Sequence, residues 1–366
     1  MTAGLTREAA SQSAEFIADR AGGRDNNFNL IRILAATGVL VSHAYPLSWG
    51  IGATQPLEGL LHGTALGTVC VWLFFAISGF FITRSFDRTP LISSFLMARI
   101  LRLFPALATV LIVTILFAGF FLTQAAPSIY WAATGEYFIR NITLFNLQYS
   151  LPGVFVDNPG GAGINGSLWS LSYEVTCYAG VFICGVLGLL GHRKAFVGLT
   201  LLFLCAYAAT MVFELNPRIE QLARLGLPFI TGMIFYLFRD NIPLSWGTLG
   251  GVIAVTVAAW FTPLFLPVFA VGLSYTVFFC GYAKTPWLLH YNRLGDYSYG
   301  VYIYAFPIQQ LVAQSGVTTP AINIAISLPF TFICAVLSWH LIEAPAMKLR
   351  HWIKTPKPVK SKQTAE

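Results

Sequence analysis

Residues 29–47 read NLIRILAATGVLVSHAYPL. The run is apolar for nineteen residues, the length of a helix that crosses a bilayer core. Two ionisable side chains interrupt it, Arg32 and His43, with ten residues between them. A charge at the centre of a bilayer costs several kcal/mol, about 2.5–3.5 for Arg on insertion scales, so such residues mark functional paths. On a helix rising about 1.5 Å per residue, eleven steps part them by about 16 Å, half a membrane. Arg32 can then face one side of the bilayer and His43 the other. Only the imidazole titrates near neutral pH, which suits it to act as a general base on a hydroxyl.

The same apolar character continues through the 366 residues, which are 56% hydrophobic, only 10% charged, and have a mean hydropathy of +0.68. Soluble domains carry about 25% charge. The expected fold is all-α, a polytopic membrane helix bundle of about ten spans. The limits read from the sequence are 28–46, 66–86, 99–122, 167–190, 195–214, 224–239, 247–262, 264–283, 296–314 and 321–343. The sixth is short, tilted or broken, and only Pro263 and Pro267 separate the seventh from the eighth. Residues 1–27 form a tail without the apolar core of a signal peptide. Residues 28–346 form the membrane domain, and 347–366 a basic tail. No internal repeat stands out.

The net charge of +7 gathers at the ends of the spans, not on a basic face, so nucleic acid is not an expected partner. With the N-terminus in the cytoplasm, 18 of the 22 Lys and Arg residues fall on the inner side, and Arg140, Arg218 and Arg224 fall outside. That asymmetry orients the chain with both termini inside and His43 toward the outer face. The six cysteines read as small buried hydrophobes, unpaired and not spaced to bind metal. The long outer connection, 123–166, is aromatic and then Gly-rich, so part of it lies on the membrane and the rest is loop.

Four further groups carry possible chemistry. Arg84 and Arg88 close the second span, and Arg99 and Arg102 open the third. Four arginines without a lysine across one turn suit the forked recognition of phosphate. In the fourth span Ser167, Ser170, Glu174 and Tyr178 share one helical face. Glu174 lies well inside the apolar run. It can orient the His43 imidazole, bind a sugar hydroxyl or pair with an arginine. In the ninth span Tyr299, Tyr302 and Phe306 form a stripe, and Asp296 is placed to cap the helix. His340, Glu343 and Lys348 read as interfacial anchors. The chain has no P-loop, dinucleotide fingerprint, HExxH or GxSxG motif.

Six elements in order resemble the acyltransferase-3 family of membrane-bound acyltransferases. They are Arg32 and His43 at their spacing, LFFAISGFFITRSF from Leu73, the Arg99–Arg102–Pro105 element, Ser167 to Glu174, Gly295 to Tyr302, and Ile342 to Pro345. The resemblance covers about residues 28–350. Many relatives carry a histidine just after the ninth-span tyrosines, where this chain has Ala305 and Phe306. The resemblance implies a stand-alone enzyme of the bacterial cytoplasmic membrane. It would move an acyl group, most often acetyl, from cytoplasmic acyl-CoA to a hydroxyl of a carbohydrate or glycolipid. On that reading Arg32, Arg84, Arg88, Arg99 and Arg102 bind the CoA, and no metal is required. His43 is the base or carries the acyl group, and Glu174 supports it or positions the acceptor. Ser170, Tyr178, Tyr299 and Tyr302 contact the acceptor, with outer loops 47–65 and 123–166 supplying glycan contacts. Arg, His and Glu within a membrane also suit a different class, a proton-coupled transporter or flippase of a glycan or lipid intermediate.

Overall fold

Long apolar runs leave the backbone no partner but itself, and helices satisfy every internal N–H and C=O within one segment. The computed structural model describes residues 15–349 apart from 24, 89, 90 and 286, and these contain no strand. The expected tails before residue 15 and after residue 349 lie outside the described residues. Thirteen α-helices follow one another among the described residues: α1 (Ile17–Ala21), α2 (Phe28–Trp49), α3 (Leu66–Arg88), α4 (Ile92–Phe121), α5 (Pro127–Ile142), α6 (Leu168–Val186), α7 (Arg193–Val212), α8 (Pro217–Leu237), α9 (Trp246–Ala259), α10 (Phe265–Gly281), α11 (Ser298–Gln314), α12 (Pro320–Ser338) and α13 (Ala344–Lys348).

Ten of these fall on the ten expected spans. By length and composition alone α2, α3, α4, α7 and the continuous α12–α13 run can cross a membrane, and α9 and α10 are shorter apolar helices. Three details differ from the sequence reading. The sixth span is not short: α8 starts at Pro217, where proline suits the first helical position and Asn216 Oδ1 accepts from Arg218 N. The aromatic part of the long connection is a helix, α5, whose buried Tyr130 donates to Ile115 O of α4 at 2.7 Å. Of the six free cysteines, Cys205 and Cys280 are exposed on the helix surface.

α3 is the centre of the bundle, with α2, α6, α8 and α10 around it, and α2 packs in turn on α11 and α12. Where α3 meets α8, a Cβ on Gly79 would stand 2.0 Å from Phe229 O, and one on Gly232 2.1 Å from Ala76 O. Only hydrogen fits at either place, so the two backbones approach as small residues allow in membrane helices. On the outside, α7 leaves Leu202 and Val212 exposed, and α4 leaves Phe120 and Phe121 exposed, a surface for lipid.

Two polar devices set the register of α11. The segment between α5 and α6 folds into the bundle instead of over it. Asn158 Nδ2 donates to Gln310 Oε1 at 2.7 Å, Gln310 Nε2 to Gly163 O at 2.6 Å, and Asn165 Nδ2 to Ile303 O at 2.9 Å. At the start of α11 an ion network gathers three elements. Arg102 of α4 meets Asp296 at 2.6 Å and Glu343 at 3.0 Å. Glu343 is buried at the end of a π-helical turn, Trp339–Glu343, that joins α12 to α13. Its expected role as an interfacial anchor gives way to this buried pairing, because the wide turn brings the carboxylate inward onto Arg102.

Two outcomes check this packing. Gly232→Ala should cost about 1–3 kcal/mol by forcing α3 and α8 apart. Thermal unfolding in detergent should show it, while Gly250→Ala, with open space at its Cβ, should not be destabilised. Arg102→Leu strands a buried carboxylate at a cost of about 3–5 kcal/mol. Adding Glu343→Leu should restore part of that loss, and a double variant no more stable than the single one would refute the pairing.

Candidate active site

The helices around α3 do not close completely. A cavity of about 1040 Å³ lies among α2, α3, α4, α6 and α11. Its wall on α3 runs from Val71 to Arg84, thirteen steps or about 20 Å. Arg32 enters from α2, Arg84 from α3, and Arg99 and Arg102 from α4. Ser170, Glu174 and Tyr178 of α6 and Tyr299 and Tyr302 of α11 complete it. Two regions far apart in sequence thus share one space, the arginine group and the carboxylate face of the fourth span. Arg88 is placed elsewhere, exposed at the end of α3 and outside the cavity lining.

The four arginines that line the cavity are not equivalent. Arg102 is committed to Asp296 and Glu343, with its guanidinium over the rings of Tyr299 and Trp339, 5.7 Å from each centroid. Arg32 shares Asp296 only at 3.5 Å. Asp296 does act near the start of α11 as expected, since its Oδ1 accepts from Ser298 Oγ at 2.5 Å and from Ser298 N at 3.3 Å. Its other oxygen serves the two arginines, a role the capping reading missed. Arg32 and Arg84 stand over one ring, Phe81, at 5.7 and 5.9 Å from its centroid. Arg84 makes no ion pair among the described residues, and Arg99 stacks over Phe95 and Tyr178 at about 6 Å. Asp296 and Glu343 are held chiefly by Arg102, and with Glu174 they number three carboxylates against four arginines, so positive charge is in excess. Forked donors with little competing acid suit phosphate groups.

Glu174 takes two hydrogen bonds on one oxygen, from Ser78 Oγ at 2.9 Å and from Tyr178 OH. Its other oxygen has no hydrogen bond among the described residues. The hydroxyls of the ninth-span tyrosines are spent on helix contacts. Tyr299 donates to Leu103 O at 2.9 Å, and Tyr302 donates to Ser167 O at 2.9 Å while accepting from Ser170 Oγ at 2.5 Å. What these two residues offer the cavity is ring surface.

His43 lies apart from this group. The last α2 residue of the cavity wall is Arg32, and His43 follows about 16 Å further along the same helix. It makes no contact with Glu174 among the described residues, which leaves Glu174 to act in the cavity. Phe306, one turn beyond Tyr302, packs edge-on to the His43 ring with centroids 5.4 Å apart. His43 Nδ1 is buried and has no hydrogen-bond partner among the described residues. A buried ring nitrogen of this kind is an exception to the rule that buried polar atoms are hydrogen-bonded. Ser78 and Phe81 were not singled out as site residues, although both lie within the Leu73–Phe86 element of the family resemblance. Glu343 had a signal, an acid two residues before Pro345 at the end of an apolar run.

Comparisons with known proteins bear on the whole chain. The acyltransferase domain family matches residues 25–340. An O-acetyl transferase of Shigella phage Sf6 is 29% identical over 341 residues, covering 87% of this chain and 95% of the relative. Nodulation protein 10 of Rhizobium leguminosarum bv. viciae is 26% identical over 366 residues, covering 91% of this chain and 96% of the relative. No solved structure matches. With the family covering nearly all of the helix bundle, the chain belongs to the acyltransferase-3 family and is an O-acetyltransferase by kind.

Proposed function

We propose that the protein transfers an acyl group, acetyl above all, from cytoplasmic acyl-CoA to a hydroxyl of a carbohydrate or glycolipid, within the bacterial cytoplasmic membrane and with both termini inside. The reading is carried by one observation: four arginines line a single cavity whose far end stops one turn short of the residue packed against His43. On this reading the phosphates of CoA bind Arg32, Arg84 and Arg99, while Arg102 holds the wall and Arg88 stands outside as a first electrostatic contact. The pantetheine arm runs along Phe74 and Tyr302, and Glu174 meets its amides.

The chemistry then falls to His43. Its neutral imidazole takes the proton of the acceptor hydroxyl as the oxygen attacks the thioester carbonyl. The carbon–sulfur bond breaks, CoA leaves as a thiolate, and the imidazolium proton neutralises it. The alternative order, in which the acyl group rests on His43 before the hydroxyl attacks, uses the same residues. A positioned general base contributes about 10²–10⁴ in rate. His43→Ala should lose at least that much while keeping its thermal stability.

Sealed vesicles given radiolabelled acetyl-CoA on the cytoplasmic side test this. Label should enter an alkali-labile glycan or lipid fraction with the wild type and not with His43→Ala. Full activity of His43→Ala would remove the histidine from the mechanism. Acetyl-CoA should also protect the purified protein against heat, by about 2.7 kcal/mol at a hundred times its Kd. Arg84→Gln should abolish most of that protection. Equal protection of both proteins would place the phosphates elsewhere, and absence of protection in the wild type would favour the transporter class.

A further inference from the structure

α6 lines a second space with its other face. Ser170, Glu174 and Tyr178 face the arginine cavity, whereas Trp169, Ser172, Tyr173 and Thr176 line a hollow of about 590 Å³. The 144–149 segment forms one wall of this hollow and Arg218 and Gln221 of α8 another. Its size is that of a small-molecule site.

Aromatic residues at a membrane edge commonly form a belt. Three features set this group apart. The rings of Phe145, Tyr149, Trp169 and Tyr173 gather around a concavity, with Trp169 and Tyr173 edge-on at 6.0 Å. Their polar tips are unspent: the Tyr149 and Tyr173 phenols and the Trp169 indole N–H make no hydrogen bond among the described residues. The bundle also leaves single phenols such as Tyr282 and Tyr291 unpartnered among the described residues, but here three such groups line one hollow. The Arg218 guanidinium likewise has no ion pair among the described residues. Lastly, the presenting segment is held in place. Leu144 and Asn146 adopt left-handed φ of 55° and 52°, Asn141 Nδ2 donates to Gln148 O at 2.8 Å, and Ile164 N donates to Tyr149 O at 2.7 Å. Strained backbone fixed from both sides is a feature of ligand clamps. Burial, helped by Tyr173 and opposed by Arg218, lifts the Tyr149 phenol above its ordinary value, so it stays a neutral donor.

We propose that this hollow is an acceptor subsite that binds a sugar ring of the glycan, remote from the hydroxyl that is acylated. The assignment rests on the acyl-transfer reading with a carbohydrate acceptor. Pyranose C–H faces stack on the aromatic rings, and the sugar hydroxyls satisfy the phenols, the indole N–H, Gln221 and Arg218. A lipid tail would leave those polar groups unsatisfied. The hollow is also linked through packing to the neighbourhood of His43. Gly166, one turn before Trp169, packs against Phe306 so closely that a Cβ there would stand 2.6 Å from the ring, and Phe306 packs on His43. Binding energy from a remote sugar can then hold the reacting one in place.

The test uses the full chain in detergent, labelled acetyl-CoA, and as acceptor a glycan and glycolipid extract of the source cell's own envelope at varied concentration. Trp169→Ala and Tyr173→Ala should raise the half-saturating acceptor concentration at least tenfold, with that of acetyl-CoA moving less than twofold. Trp169→Phe should recover part of the loss. Trp246→Ala, an exposed aromatic on α9 outside the hollow, should move neither value. Should the aromatic variants fail to fold, Arg218→Ala on the surface of α8 should raise the acceptor value several-fold. Unchanged acceptor saturation in Trp169→Ala and Arg218→Ala overturns the subsite and leaves acyl transfer standing. Absence of transfer by the wild type overturns acyl transfer and the subsite with it.

Discussion

A guanidinium held between two carboxylates, Arg102 between Asp296 and Glu343, is the contact on which the rest of the bundle depends. It joins α4 to the start of α11, 194 residues along the chain, and to the end of α12, 241 residues along. In water such a triad would be worth little. Inside a membrane protein each charge must be matched, because an uncompensated one costs far more than the pair gains. The network therefore acts through exclusion: packings that part α4 from α11 or α12 strand a buried charge. Gly295, with φ +119° and no room for a Cβ against the Trp339 indole, lets the chain turn sharply enough to deliver Asp296 to this point. Once α11 is seated, Tyr299 and Tyr302 are on the cavity wall and Phe306 is against His43.

The cavity exists because polar contacts replace some of the apolar packing around it. Tyrosine hydroxyls, Ser78 and Glu174 bridge α3, α4, α6 and α11 where a methyl-lined interface would have closed on itself. On the side away from the arginines, amides do the same work. Gln309 Nε2 donates to Leu40 O at 2.8 Å, and Asn323 Nδ2 donates to Gln309 O at 3.1 Å, so α2, α11 and α12 are locked at the level of His43. The arginine end keeps an excess of positive charge, whereas the histidine end is held by neutral amides. The asymmetry fits a ligand with an anionic head and an uncharged tail.

Much of this was legible in the sequence where the signal is local. Apolar runs of about twenty residues marked the ten long helices, and the Arg32–His43 spacing placed two ionisable side chains at separate levels of one helix. The Ser170–Glu174–Tyr178 face is a matter of helical period, and it lines the cavity as a face should. Long-range pairing carries no such signal. Nothing near Arg102 says that its partners lie at 296 and 343, and flanking arginines look alike until their acids are placed. The π turn that brings Glu343 inward has no period to read. A Gly-rich stretch reads as surface loop, yet its asparagines and carbonyls bond α11 inside the bundle, because Asn158 and Asn165 find acceptors there that solvent would otherwise supply. For the same reason the separation of Glu174 from His43 was not visible: both lie in spans, but depth depends on where each helix begins. α6 begins at the level of Ile303, partway along α11.

That depth has a consequence for how the two levels communicate. Tyr302 lines the cavity and Phe306 packs on His43, so one helical turn of α11 separates the cavity from the histidine. The α11 backbone is held on both sides of this turn, by the Tyr302 hydroxyl on Ser167 O and by Gln309 and Gln310 on α2 and the Gly-rich segment. A sliding helix would break all of these bonds together. Rotation of the Phe306 side chain breaks none, since its contacts with His43 and Gly166 are van der Waals only. On the proposed reading, in which a thioester at one level meets a histidine at the other, the cheapest opening is thus a side-chain movement within a fixed frame. Such a frame can stay sealed against water and ions while one ring turns, which a membrane-spanning passage with a charged entrance requires.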